Sequence, residues 1–290
     1  MPHNTPQNTP RIDLDALAGT IRAHEAAQGQ PVSRMGYFCA PFRPSDGPFS
    51  DKVIKIYRAP GDAAALDRLA QAHDDYVAAL LETGVPMPDT HFVLLPQGDS
   101  RVPVIIQQAL PEDALMRPRM QAEDLASTLE MMEAAGLVIA RFWNAADRFD
   151  TRIGFHPSIR NFAVLDGEAI FYDSFPPLIH YSREEMGRML LTYSDKRLMR
   201  VIGPFMRRRV TGIQDEWYSP PETLVGLVGS ACRLRPEHAE HYLAWGRDFV
   251  RREMPRWADE ALEGLREAPR LPGYWTGFRK LLGLQGEPNV

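Results

Sequence analysis

The segment Phe162-Ala163-Val164-Leu165, Asp166-Gly167, Ala169-Ile170-Phe171-Tyr172 leaves the chain little choice of local structure. Two short apolar runs joined by an Asp-Gly pair form a β-hairpin, because that pair tolerates the positive φ angles of the tight turn that strand twist favours. The sequence on both sides is helical in pattern, so the hairpin is the exception in its half of the chain. Asn161 stands just before the first strand and Asp173 just after the second. An antiparallel hairpin therefore brings their side-chain oxygens to one end of two adjacent strands. Asn and Asp oxygens suit Mg²⁺, which takes few protein ligands and completes its shell with phosphate and water.

The first 110 residues have a different texture. A helix is expected over Ile12 to Ala27, with Asp13 and Asp15 in its first turn and Leu14, Leu17, Ala18 and Ile21 on one face. Met35 to Phe42 reads as a strand that breaks at Pro44, Asp46, Gly47 and Pro48, and Lys52 to Arg58 reads as a buried strand. An Ala- and Leu-rich helix over Asp62 to Thr83 stops at Gly84, with Pro86 and Pro88 beyond it. His91 to Leu95 and Val102 to Gln108 form two more strands around Pro96-Gln97-Gly98-Asp99. After Pro111 helices are expected over Ala122 to Phe149, Arg183 to Val201, Pro220 to Ala231 and Glu237 to Leu265. The fold class is α+β: an N-terminal helical extension over 1–32, a β-rich unit over 33–110, a mainly helical unit over 111–268 holding the hairpin, and a tail over 269–290.

Charge and cysteine usage narrow the partners. A net charge of −5 and a pI near 5.9 supply no excess of cations for nucleic acid, although Arg207-Arg208-Arg209 suits a local anion. Cys39 and Cys232, far apart and without metal-ligand spacing, fit a reducing cytoplasmic setting better than a disulfide scaffold. The polar start, Met1 to Pro10, has no signal-peptide pattern, and no apolar run reaches the ~18 residues a membrane span requires. The expected partners are small molecules, with no membrane and no nucleic acid, and the oligomeric state is left open.

Lys55 interrupts an apolar strand, with Ile54 and Ile56 on the opposite face. A cation so placed wants a partner or a ligand. The helix that follows offers His73, Asp74 and Asp75, with Glu82 too near its end, and Asp74 or Asp75 is the expected partner.

Taken together, Val53-Ile54-Lys55-Ile56-Tyr57-Arg58, Gly84-Val85-Pro86-Met87-Pro88 and the span Asn161 to Asp173 make the chain resemble the protein-kinase-like superfamily, closest to its aminoglycoside phosphotransferase and choline kinase branch. The likeness covers about residues 33 to 260. It implies a bilobal fold that binds ATP and Mg²⁺ in a cleft and transfers the γ-phosphoryl group to a small-molecule hydroxyl or amine. Lys55, fixed by an acid such as Asp74, would hold phosphate, and Asn161 and Asp173 would hold metal. Val104 to Pro111 resembles the strand and hinge that meet the adenine edge, through Gln108 and Leu110.

The pattern departs from the family at three places. Ser33-Arg34-Met35-Gly36-Tyr37-Phe38 has one glycine where phosphate loops often have three. His156 stands five residues before Asn161, where the family has its catalytic Asp, and the metal triplet reads Asp173-Ser174-Phe175. His156 is thus a candidate base, because imidazole titrates near ~6.5, and Asp150 is a candidate substitute carboxylate. Pro176-Pro177 leaves a short segment where regulated kinases carry an activation loop. Asp195, Arg197, Arg200, Trp217 and Tyr218 are acceptor-side candidates. The leading expectation is a small-molecule phosphotransferase with an atypical base; the alternatives are a pseudokinase scaffold and an enzyme that reuses the cleft for other chemistry.

Overall fold

A computed structural model describes residues 12–27, 39–57, 62–193 and 214–269. Helix α1, Leu14–Ala26, starts where the Asp13 carboxylate accepts hydrogen bonds from the Asp15 and Ala16 amides, both at 3.0 Å. It buries Leu17 and Ile21 on one face of a three-stranded antiparallel sheet. The strands are β1, Lys52–Ile56, β2, Thr90–Gln97, and β3, Ser100–Gln108, in the order β1-β3-β2. Strand alternation divides the sheet. Ile54, Val104 and Ile106 pack with Leu17 and Ile21, while Ile105, paired with Lys55 in register, joins the larger core on the other face.

Helix α2, Ala63–Glu82, crosses that second face, capped by Asp62 onto the Ala65 amide at 2.7 Å. It ends as expected at Gly84, whose φ of +80° suits only glycine well. A β-carbon there would also stand 2.7 Å from the Arg141 side chain, so two constraints select glycine. The chain then runs through Pro86, whose carbonyl accepts the Phe171 amide at 2.8 Å and ties the Gly-Val-Pro step to the hairpin.

Helix α3, Met116–Ala122, precedes α4, Leu125–Ala146, which begins at the Asp124 cap. No helix is expected from the sequence between Pro111 and Ala122, yet α3 forms with Pro118 in its first turn, where a missing N–H costs nothing. Helix α4 is the axis of the main core, with Met131, Met132, Ala135, Val138, Ile139 and Phe142 buried. The hairpin forms as expected from β4, Phe162–Leu165, and β5, Glu168–Phe171, with Asp166 and Gly167 both at positive φ in the turn. Helix α5 is Arg183–Thr192, and the rest of the helix expected to Val201 falls outside the described residues beyond Tyr193.

Helix α6, Pro220–Leu234, is followed by α7, Ala239–Glu253, and α8, Ala258–Gly264. The continuous helix expected over Glu237 to Leu265 is corrected here: the chain breaks at Met254 and re-forms through a 3₁₀ turn at Pro255–Trp257. Pro255 cannot donate the hydrogen bond that continuity needs. The strand expected over Met35 to Phe42 is described only from Cys39 onward, where Phe42 bridges Ile54. The architecture is α+β, with two small antiparallel sheets among helices. No helix among the described residues is long and apolar enough to cross a membrane.

Candidate functional site

Strand β1 and the end of the hairpin meet across 117 residues of sequence: the Lys55 ammonium, 8 % exposed, donates to the Tyr172 carbonyl at 2.7 Å. Burial pushes the Lys55 pKa down, and the neighbouring Asp173 charge opposes that shift. Asp173 moves the other way: burial raises its pKa, while Lys55, Arg160 and the Phe175 amide favour the carboxylate. Burial thus disfavours the charged form of each group, and the charge of the other partly offsets it.

Asn161 lies at the base of the hairpin and is buried. Its carbonyl accepts the Tyr172 amide at 3.0 Å, so Asp173 leaves the ladder one residue beyond the partner of Asn161. Its side-chain NH₂ donates to the His156 carbonyl at 3.0 Å. Among the described residues no three His, Cys, Asp or Glu side chains cluster as a metal site.

His156 is half-buried, with its ring 4.6 Å from that of Trp217. Its Nε2 is buried and has no hydrogen-bond partner. Burial, with the Arg160 charge nearby, pushes its pKa down to about 3, so the ring is neutral near pH 7. The segment carrying it is fixed by hydrogen bonds from the Gly154 amide to Leu178 at 2.8 Å and from the Phe155 amide to Trp217 at 2.6 Å. Asp150 is exposed on the bend after α4.

The acids expected beside Lys55 lie elsewhere. Asp74 is 68 % exposed, with its carboxylate 4.0 Å from His73 Nδ1, and Asp75 pairs with His180 Nε2 at 2.9 Å. The reason is helical phase. The buried stripe of α2 contains Leu66, Leu69, Ala72, His73, Tyr76 and Leu80, and the next residue in a helix points ~100° away. His73 is the residue turned inward. Its Nε2 meets Ser174 Oγ at 2.9 Å, and burial lowers its pKa, with Asp74 opposing and Lys55 adding to the fall. The apolar spacing of α2 contained the signal that would have selected His73.

Two further groups escaped the sequence reading. Tyr57 is buried and stacks on Phe175 at 3.8 Å between centroids, and its hydroxyl is hydrogen-bonded with Cys39. Arg68 on α2 donates to Glu185 Oε1 and to the His180 carbonyl, both at 2.8 Å, with its guanidinium 4.6 Å from the Tyr181 ring. Together with the Asp75–His180 pair, these contacts clamp α2 onto the segment that follows Asp173.

Gln108 knits strands together: its amide donates to Asp89 at 2.8 Å, and its side chain joins Lys52 to the Asp51 carbonyl. The Ala109 amide also goes to Asp51, at 2.9 Å, so the next backbone group along the connection belongs to the half-buried Leu110. An open depression of about 510 Å³ lies beside this connection, lined by Arg43, Pro44, Ser45, Ser50, Asp51 and Glu112 rather than by Lys55 or Asp173. Trp217 and Tyr218 pack against residues 154–156. Asp195, Arg197, Arg200, Arg207 to Arg209 and Ser33 to Phe38 lie outside the described residues.

One family model matches residues 16–286, a span that contains every site residue above. The chain belongs to DUF6206, a family of unknown function. No curated protein matches this DUF6206 chain.

Proposed function

We propose that this protein is a kinase-like ATP- and Mg²⁺-dependent transferase acting on a small molecule. In this reading residues 33–110 form an N-lobe, 111–268 a helical C-lobe, and the cleft between them holds the nucleotide. The observation that carries it is the meeting of Lys55 with Tyr172 and Asp173 beside a buried Asn161 whose nitrogen is already engaged. A cation from a strand, followed by two oxygen donors at the base of a hairpin, is the set of groups phosphoryl transfer uses for positioning and charge neutralisation. Lys55 would leave the Tyr172 carbonyl to hold phosphate, Asn161 and Asp173 would hold Mg²⁺, and the backbone near Leu110 would meet the base. The metal would supply charge neutralisation at the phosphates.

In the transfer itself a bond forms between the acceptor oxygen and the γ-phosphorus, the bond to the β-bridging oxygen breaks, and ADP leaves. The acceptor proton is accepted by His156 or by solvent. A neutral imidazole can accept that proton where the family has its Asp, although burial and the Arg160 charge weaken it as a base. It lacks the negative charge of that Asp. The acidic net charge leaves no cationic excess for nucleic acid, and two cysteines outside any disulfide fit a cytoplasmic setting.

A pseudokinase is the second reading, favoured by the neutral His73 on α2 where an acid would be expected to fix Lys55. Thermal shift with ATP and Mg²⁺, followed by ATP turnover, separates them. Stabilisation at millimolar ATP–Mg²⁺ that disappears in Lys55→Met is expected. Absence of any shift would overturn the nucleotide site, and binding without turnover across a broad acceptor panel would select the pseudokinase.

A further inference from the structure

The depression of about 510 Å³ lies apart from the Lys55–Asp173 side, and its volume falls in the ~300–1,000 Å³ range of small-molecule sites. Its walls are tied in place. One wall is the loop that leaves Phe42: the Phe42–Ile54 bridge closes its base, the Ser50 amide donates to the Gly47 carbonyl at 3.2 Å, and Phe49 is buried in the cluster that contains Leu17 and Ile21. Arg43 spans the neck of this loop, with its Nε donating to the Ser50 carbonyl at 2.9 Å. The other wall is the connection after β3. The Asp51 carbonyl accepts from the Ala109 amide at 2.9 Å and from Gln108 Nε2 at 3.0 Å, and Glu112 opens a 3₁₀ turn whose Leu115 amide returns to the Glu112 carbonyl at 3.3 Å.

Two charges on these walls have no partner among the described residues. Arg43 uses only its Nε, so the Nη edge of the guanidinium, with four N–H donors, is open to a ligand. The Glu112 carboxylate makes no hydrogen bond or ion pair there, either with Arg43 or with any other residue, although both line the same depression. Asp51 differs, because Lys52 Nζ answers its carboxylate at 2.9 Å. The lining therefore offers one open cation and one open anion, held on separate segments. That pattern sets the chemistry of a ligand. A lone anion would gain Arg43 but face Glu112, and a lone cation would do the reverse. A molecule carrying both signs gains both contacts, and a planar guanidinium edge matches the two oxygens of a carboxylate.

The geometry points to this depression as a binding site for a zwitterion of the α-amino acid class, with Arg43 on the carboxylate and Glu112 on the ammonium. The site stands apart from the transferase reading and does not depend on it. An occupant fastens the loop before β1 to the turn beyond Pro111. The experiment is saturation-transfer NMR on the full chain with glycine, L-alanine, L-serine, L-glutamate and L-lysine, and with acetate and methylammonium as single-charge controls. At least one amino acid is expected to bind, and Arg43→Gln and Glu112→Gln are each expected to weaken it about 3–10-fold, the range for charged contacts that stay partly exposed. Both side chains are exposed, so both variants are expected to fold, and Glu112→Gln keeps the shape of the side chain. Arg43→Lys, which keeps the charge, is expected to retain more binding than Arg43→Gln. The inference is overturned if no amino acid binds, if either glutamine variant leaves binding unchanged, or if acetate or methylammonium binds as tightly as the amino acid. Displacement by ATP–Mg²⁺ would also overturn it, because the depression would then belong to the nucleotide site. A protein that binds an amino acid but no ATP keeps this site and loses the nucleotide reading, whereas one that binds ATP but no amino acid does the reverse.

Discussion

The Lys55–Asp173 side of the site and the His156–Tyr218 side lie along the same hairpin base and solve opposite problems. On the first, charges are buried and answered from within the protein, Lys55 by the Tyr172 carbonyl and by Asp173, and Asp173 by Lys55 and Arg160. On the second, neutral groups are buried and left unanswered. A ligand on the charged side must displace internal partners, so its binding is an exchange. On the neutral side no internal hydrogen-bond partner would have to be given up. The difference teaches that burial alone does not mark a binding site; what matters is whether the buried group already has its partner.

Breaking the charged side should have the largest effect. Lys55→Met removes one of the two cations, Lys55 and Arg160, that favour the buried Asp173 carboxylate, and loss of a partner from a buried charge costs up to about 3–5 kcal/mol. A fall in melting temperature on the order of 10 °C is expected in calorimetry. Asp173→Leu on top of Lys55→Met should recover much of that loss, because the stranded charge is gone. If the double variant is no more stable than the single one, the two groups are not energetically paired.

Ser174→Ala is expected to cost about 1–3 kcal/mol in urea unfolding, because it leaves His73 Nε2 without its partner. His73 Nδ1 already lacks a hydrogen-bond partner, so the ring would have none. An effect within experimental error would mean that water replaces the hydroxyl and that α2 is not held through this contact.

Acid sharpens the comparison from the neutral side. His156 has a folded pKa of about 3, below its unfolded value near ~6.5, so between those values the unfolded chain binds a proton that the folded chain refuses. Stability is therefore intact above about pH 6.5 and is lost as pH falls toward 3, with a slope approaching ~1.4 kcal/mol per pH unit from this residue. His73, also depressed by burial, adds in the same direction. Urea midpoints measured from pH 7.5 to 4.5 should show the decline, and His156→Asn should flatten it. A slope unchanged by that variant would place the acid sensitivity elsewhere.

The smallest effect is expected from Arg68→Ala, since its side chain is half-exposed and such bridges contribute about 0–1 kcal/mol. If instead ATP–Mg²⁺ affinity falls several-fold while stability barely moves, the clamp between α2 and residues 180–185 positions the charged side rather than stabilising the fold.

The legible parts of the molecule rested on local rules. Asp166-Gly167 specified the hairpin, Asp62 and Gly84 bracketed α2, and Ile54-Lys55-Ile56 placed one cation on the face opposite two apolar residues. The partner of Lys55 was less legible. Asp74 and Asp75 have the expected charge, but a helix turns ~100° per residue and the apolar stripe carries His73 inward instead. The break at Pro255 was written in the chain, yet the apolar pattern on both sides hid it. Tyr218 stood among the acceptor-side candidates, but the partners of Tyr57, Cys39 and Tyr218 had no local signal, because they come from distant segments.

By itself the sequence determined what each short stretch could be: a tight hairpin, a capped helix, a strand with one lysine, and an Asn and an Asp at matching ends of a ribbon. These follow from backbone sterics and periodicity, which act over a few residues. Only the tertiary structure decided which groups meet. It set the Lys55 ammonium on a carbonyl 117 residues away, turned His73 onto Ser174, and drove the His156 pKa down to about 3. Desolvation and charge depend on everything packed around a group, and that neighbourhood exists only once distant segments have come together.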